Sequence, residues 1–443
     1  MININKNITK NIRNLLVIFV VFFINLIELF ALNTGYFGRI SFIVICFSGF
    51  LYFLYKNFIK NRGNRNRTLE VYTVLNIIFF LYVVANGVLF HNNIRLFYGG
   101  YQYIVYYLIF FTLYSFVEIR LLDIFMKFIL GINFISSCIM IYEFITKKNI
   151  IETEGTKMAF NGVTIVRAKA FFGSFLNAGV VLCICCFIAL YYVYRYRKQF
   201  KYIVLYSIII LVYLLGIFAT GSRGPLVALI GGLFFYLIAY LILIKKDVKL
   251  TIIIVSTLAI LSFLTLFIIM NINYESIDNT LLKFIAHRIQ SIFNWSNDVG
   301  NVGRIDAWKN ALKMVKGNIT FGIGIAATGA KGIGSFSIGV TESGVLKKLV
   351  EMGIVGFIIS YAIYIYVGIS AFKNITSKIY PRETKIFNLF MLSAFISVMI
   401  EDSIYQSTES EVVSFYLFLV IYFIFVSKSK YFNKRFIDTS EEE

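Results

Sequence analysis

Charge is scarce in this chain of 443 residues. Only 15% of the residues are Asp, Glu, Lys or Arg, against roughly 25% in ordinary soluble proteins. Proline occurs twice, which beside 47 Phe and 30 Tyr excludes disordered and collagen-like chains. The five cysteines, Cys46, Cys138, Cys183, Cys185 and Cys186, all fall inside apolar runs. Their spacing, without a partnering His or Cys, fits neither a disulfide scaffold nor a zinc centre. H-E-x-x-H, G-x-S-x-G and Asp-rich clusters are all missing, which disfavours metal catalysis and covalent serine chemistry.

What the chain has instead is apolar length. Apolar residues make up 59% of it and the mean hydropathy is +0.79. The charges sit in islands between apolar runs near 20 residues long, which is the length that crosses about 30 Å of hydrocarbon. The expected fold class is therefore an all-α polytopic membrane protein. Twelve candidate spans are read at 13–32, 38–55, 69–90, 101–117, 121–145, 172–194, 202–220, 225–244, 250–270, 350–372, 386–404 and 412–427. The basic N-terminal start leads into an apolar stretch too long for a signal-peptide core, so it is read as an uncleaved first span. The division expected is spans one to nine over 1–270, a large helical periplasmic loop over 271–349, and spans ten to twelve with a cytoplasmic tail over 350–443.

The formal charge of +19 comes from 42 Lys and Arg against 23 Asp and Glu. In a soluble domain such an excess points to nucleic acid. Here the orientation rule accounts for it. With the N-terminus inside, the inner segments carry more than half of all Lys and Arg. The short outer segments near 33–39, 91–100 and 221–224 carry one each. Both termini are thus expected in the cytoplasm, and no nucleic-acid partner is expected. The pair of spans at 101–117 and 121–145 is joined by a short link, and merging them would invert everything downstream.

Candidate chemistry lies in the outer segments. In TGSRGPLVALIGG, at 220–232, Arg223 stands in a turn built from Gly221, Ser222, Gly224 and Pro225, and proline suits the start of the next helix. Such a cation at the membrane surface beside a helix N-terminus suits a lipid-carried phosphate. Equally, it reads as an interfacial arginine that snorkels. Arg167 precedes span six and reads as a solvated loop charge when considered alone. In NVGRIDAWKNALKMVKG, at 301–317, Ile305, Trp308, Leu312 and Val315 line one helix face below Arg304, while Lys309, Lys313 and Lys316 fall on the other. This reads as an interfacial helix anchored by Trp308. A second amphipathic stretch at 281–293 contains His287 and Arg288. The glycine-rich run at 321–339, with Gly322 and Gly324, can bring backbone N–H groups close to an anion, though its spacing matches neither a Walker nor a Rossmann motif. Glu342 stands where a helix begins, with Thr341 as N-cap; the helix dipole explains a carboxylate there, and so does proton transfer from a sugar hydroxyl. Glu401 and Asp402 are further candidates, since carboxylates at membrane depth are costly and often functional.

Three of these stretches together resemble the O-antigen polymerase and O-antigen ligase superfamily of bacterial polysaccharide assembly. They are the TGSRG turn, the GRIDAWKNALKMVKGNITFGIG run and the TESGVLKKLVEMGIVGF segment, which cover roughly 165–360. The resemblance implies a membrane-embedded, inverting, GT-C-like glycosyltransferase of the bacterial inner membrane that needs no metal or cofactor. It also implies an undecaprenyl-diphosphate-linked oligosaccharide as donor and acceptor, surrounding membrane lipid, and a chain-length regulator as partner. Arg223 matches the family's turn arginine, Arg304 the arginine before the tryptophan helix, and Arg167 less securely an arginine ahead of Gly173 and Asn177.

On this reading Arg223, Arg304 and Glu342 are catalytic, while Arg167, Arg288, Ser222, Gly322 and Gly324 bind substrate. Ligases of the superfamily carry a histidine in the segment leading into the span after the large loop. This chain has Glu342 there, and its histidines are His91 and His287. That departure favours a polymerase over a ligase that transfers finished glycan to lipid A core. A lipid-linked oligosaccharide flippase is a further alternative, disfavoured by the large outer loop because transporters keep their charges within the bundle.

Overall fold

The computed structural model describes residues 36–60, 66–90, 99–152, 156–160, 163–254, 299–328 and 343–429, with Phe432 and a few positions between 256 and 290. Within these residues the chain is nearly all helical. The helices are α1 (Tyr36–Leu54), α2 (Arg67–Leu89), α3 (Tyr106–Phe116), α4 (Leu122–Thr146), α5 (Phe175–Arg195) and α6 (Phe200–Ala219). After them come α7 (Gly224–Ala239), α8 (Val299–Val315), α9 (Gly344–Thr376), α10 (Arg382–Ile404) and α11 (Glu411–Val426). Strands β1 (Lys157–Phe160) and β2 (Val163–Val166) form an antiparallel hairpin, with Lys157 opposite Val166.

Eight helical segments among the described residues are long and apolar enough to cross a membrane. They coincide with the expected spans at 38–55, 69–90, 121–145, 172–194, 202–220, 225–244, 350–372 and 386–404. The expected spans at 101–117 and 412–427 are helical but shorter, and Val117 and Glu118 separate α3 from α4. Spans expected at 13–32 and 250–270 lie wholly or mostly outside the described residues.

Local chemistry sets the helix starts. Asn66 caps α2 by accepting from the N–H groups of Thr68 and Leu69, at 3.2 and 3.4 Å. Ser174, Ser343 and Ser410 cap α5, α9 and α11 in the same way, each satisfying an N–H left without a helical partner. Pro225 enters the first turn of α7, where a missing N–H costs nothing.

Burial decides the layering. In α5, 89% of the apolar stretch is buried, against 22% in α1. Helices α5, α10 and α11 therefore form the centre, with α7 and α6 packed around them. The outer helices leave leucine, isoleucine and valine uncovered, as at Leu81, Leu211 and Ile230. Such an apolar girdle is stable in lipid and costly in water.

One device shapes the working end. Helix α9 is broken at Gly353, where φ is 64° and ψ is −172°, a region open in practice only to glycine. The break leaves backbone groups unpaired, and the segment 318–324 crosses over to meet them. Ile323 and Gly324 donate to the carbonyls of Val350 and Glu351, while Ile354 and Val355 donate to those of Ile319 and Thr320. A side chain at 353 would also collide with the Thr320 carbonyl. We expect Gly353→Ala to destabilise the protein by about 1–3 kcal/mol, read as a lower unfolding temperature in detergent, with Gly368→Ala, which meets open space, as the neutral control.

Candidate active site at one end of the bundle

Up-and-down packing brings the ends of α2, α4, α6 and α10 to the same side as the starts of α3, α5, α7, α9 and α11. The TGSRG turn sits there between α6 and α7. Gly221 has φ of 60°, the left-handed conformation that lets the chain reverse, and Ser222 is buried with its N–H donating to the Thr220 hydroxyl at 3.1 Å. Arg223 occupies the N-cap position of α7 and is half-buried.

Arg167 is brought to this turn from the loop after β2. Its Nε donates to the Thr220 carbonyl at 3.4 Å and its guanidinium lies 3.4 Å from the centre of the Phe175 ring. The loop is anchored rather than free. The Ala168 N–H donates to the Ala219 carbonyl at 3.0 Å, and Glu143 at the end of α4 accepts from the N–H groups of Ile150, Lys169 and Ala170. The reading of Arg167 as a solvated loop charge is thereby replaced by one of a held, half-buried cation.

Arg304 arrives on α8, which packs against α9 through Ala311, Val315 and Val350. Leu312, expected on the covered face, is 49% exposed; among the described residues α8 packs against α9 along its Ala311–Val315 edge. The Arg304 guanidinium acts electrostatically on Glu401, whose carboxylate lies against Gly224, the residue after Arg223. Three arginines widely separated in sequence thus converge on the start of α7. Arg288 and Glu342 lie outside the described residues, as does most of the amphipathic stretch at 281–293.

The glycine-rich segment behaves differently from a phosphate loop over its described part. The Gly322 and Gly324 N–H groups donate to the carbonyls of Asn318 and Glu351 at 2.8 and 3.0 Å. Asn86 of α2 clamps the same segment, donating to the Phe321 carbonyl and accepting from the Ile325 N–H. These N–H groups are spent inside the protein, and the two glycines with positive φ shape the crossing at Gly353.

Behind this lies a charged layer from which the sequence reading singles out Asp402 alone. Lys347 pairs with Glu409 and Glu351 and also donates to Gln102 at 3.1 Å. Lys348 pairs with Asp402 at 3.0 Å. Glu351 accepts from Tyr103 at 2.7 Å and from the Thr328 N–H and hydroxyl, and Asp402 accepts from the N–H and hydroxyl of Thr408. Adjacent lysines inside an apolar run, as in GVLKKLVEMG, are the sequence signal that could have found this layer, since ions at membrane depth are retained only with partners.

Residues 208–361 match the family model described as O-antigen ligase. Over this segment the chain is similar to the O-antigen polymerase and ligase superfamily. The match takes in α6, the TGSRG turn, α7, α8, the crossing segment and the broken start of α9, which are the parts that build the arginine site. No curated protein matches the chain. That likeness fits glycosyl transfer at a membrane, by a polymerase or a ligase.

Proposed function

We propose that this protein belongs to the O-antigen polymerase and ligase superfamily and is a polymerase that joins undecaprenyl-diphosphate-linked oligosaccharide repeat units into O-antigen or capsular polysaccharide. The carrying observation is the convergence of Arg167, Arg223 and the Arg304 helix on the positive N-terminal end of α7. As the bond from C1 to phosphate breaks, negative charge grows on the departing diphosphate. Fixed guanidinium groups then stabilise the transition state more than the ground state. Diphosphate is already a good leaving group, so no metal is invoked. Arg288 joins the substrate set, Glu342 is the sequence's candidate for accepting the acceptor's proton, and Gly322 and Gly324 serve by shaping the loop.

The orientation that fits places this end of the bundle outward and both termini in the cytoplasm. The excess of Lys and Arg at the other end supports it. The parts are then a membrane unit over 1–270, an outer loop over 271–349 and a closing membrane unit over 350–443, working with a chain-length regulator. Having Glu342 rather than a histidine ahead of α9 favours polymerase over ligase.

The ladder of surface polysaccharide tests the choice. Cells lacking the gene are expected to display a single repeat unit. Long lipid-linked polymer persisting in those cells would instead establish a ligase. Lipid-linked donor given to the purified protein should be lengthened, whereas a flippase would leave it unchanged.

A further inference from the structure

Resting on that reading of the site, we infer that Glu401, not Glu342, accepts the proton of the acceptor hydroxyl. Glu401 is 0% exposed, and among the described residues neither of its carboxylate oxygens has a hydrogen-bond partner. Three other buried carboxylates at this end are committed. Glu143 holds three backbone N–H groups, Glu351 holds Tyr103 and Thr328, and Asp402 holds Lys348 and Thr408. Burying a carboxylate without such bonds is costly, and a group kept in that condition calls for a reason.

Position supplies the reason. The Glu401 oxygens lie directly on Gly224, where any side chain would displace them, one residue from Arg223 and within charge reach of Arg304. The carboxylate therefore stands inside the proposed diphosphate site without being hydrogen-bonded into it. A counter-ion serving only structure would be held by its guanidinium, as Asp402 is held by Lys348. An oxygen with its lone pairs unspent is what a hydroxyl needs for transfer of its proton.

In the step assigned, the acceptor hydroxyl oxygen attacks C1 of the lipid-linked saccharide and forms the new C–O bond. The bond from C1 to the phosphate oxygen breaks and its electron pair leaves on the diphosphate, facing Arg223 and Arg304. The hydroxyl proton passes to Glu401. Gly224 covers the carboxylate, so on this assignment the turn carrying Arg223 must shift before the acceptor hydroxyl reaches Glu401.

The test uses purified full-length protein in detergent with the undecaprenyl-diphosphate-linked repeat unit. Glu401→Gln keeps the side chain's shape and is expected to lower single-turnover elongation by about 10²-fold or more while donor-lipid affinity stays at the wild-type value. Gly368→Ala, on the far part of α9 where an added side chain meets open space, should keep its turnover. Wild-type turnover in Glu401→Gln, or a loss traced wholly to donor affinity, overturns the assignment. If Glu401→Gln lowers the unfolding temperature, added formate decides with Glu401→Ala: recovered turnover supports the base, and none overturns it. Arg223→Ala separates the two claims. If it keeps wild-type affinity and rate, the site reading itself fails; if it loses them while Glu401→Gln does not, the base assignment alone fails.

Discussion

Arg223→Ala is expected to slow glycan elongation about a hundredfold, and Arg223→Lys nearly as much. Removing one preorganised contact to a developing anion costs on the order of 3 kcal/mol, which is the origin of that factor. The turn is built to hold this cation in place. Gly221 takes the left-handed conformation, Ser222 is buried beneath it, and α7 begins at the next residue with its positive end toward the same point. Lysine keeps the charge but loses the planar fork that binds two phosphate oxygens at once. Turnover of purified protein on lipid-linked repeat units measures the effect, and wild-type chain lengths in Arg223→Ala would remove the residue from the site.

Asp402→Ala is expected to destabilise the protein by about 3–5 kcal/mol. Both members of the Lys348–Asp402 pair are buried, at 5% and 1% side-chain exposure, so deleting the carboxylate strands an ammonium in the interior. It also releases the N–H and hydroxyl of Thr408. The size of the loss comes from the uncompensated charge, not from the strength of the pair. Joining Asp402→Leu to Lys348→Met should therefore recover most of the stability. Thermal unfolding in detergent reads both variants, and a double variant as unstable as Asp402→Ala would show that the geometry of the pair, and not its charge, matters.

Glu401 and Asp402 show how far sequence reading reaches. Both stood out as costly carboxylates near a span's end, and nothing in their adjacency separates them. In the folded chain one meets Gly224 and the other meets Lys348 and Thr408. Successive residues on a helix point about 100° apart and so face different neighbours. The TGSRG turn was legible because its glycines and proline act locally. The held state of Arg167 was not, because Glu143 and Ala219 supply it from two distant helices. The glycine-rich run reads as backbone able to approach an anion, whereas the N–H groups of Ile323 and Gly324 go to the carbonyls beside the break at Gly353.

From its residues alone the chain was bound to be helical and membrane-spanning, with an arginine turn opening one helix. Hydropathy, turn chemistry and capping act within a few residues of their source and need no partner to be read. Which ends gather, which carboxylate is paired and which is left bare were decided only by packing. Those outcomes depend on contacts between residues such as Tyr103 and Glu351, or Asn86 and Ile325, that lie hundreds of positions apart.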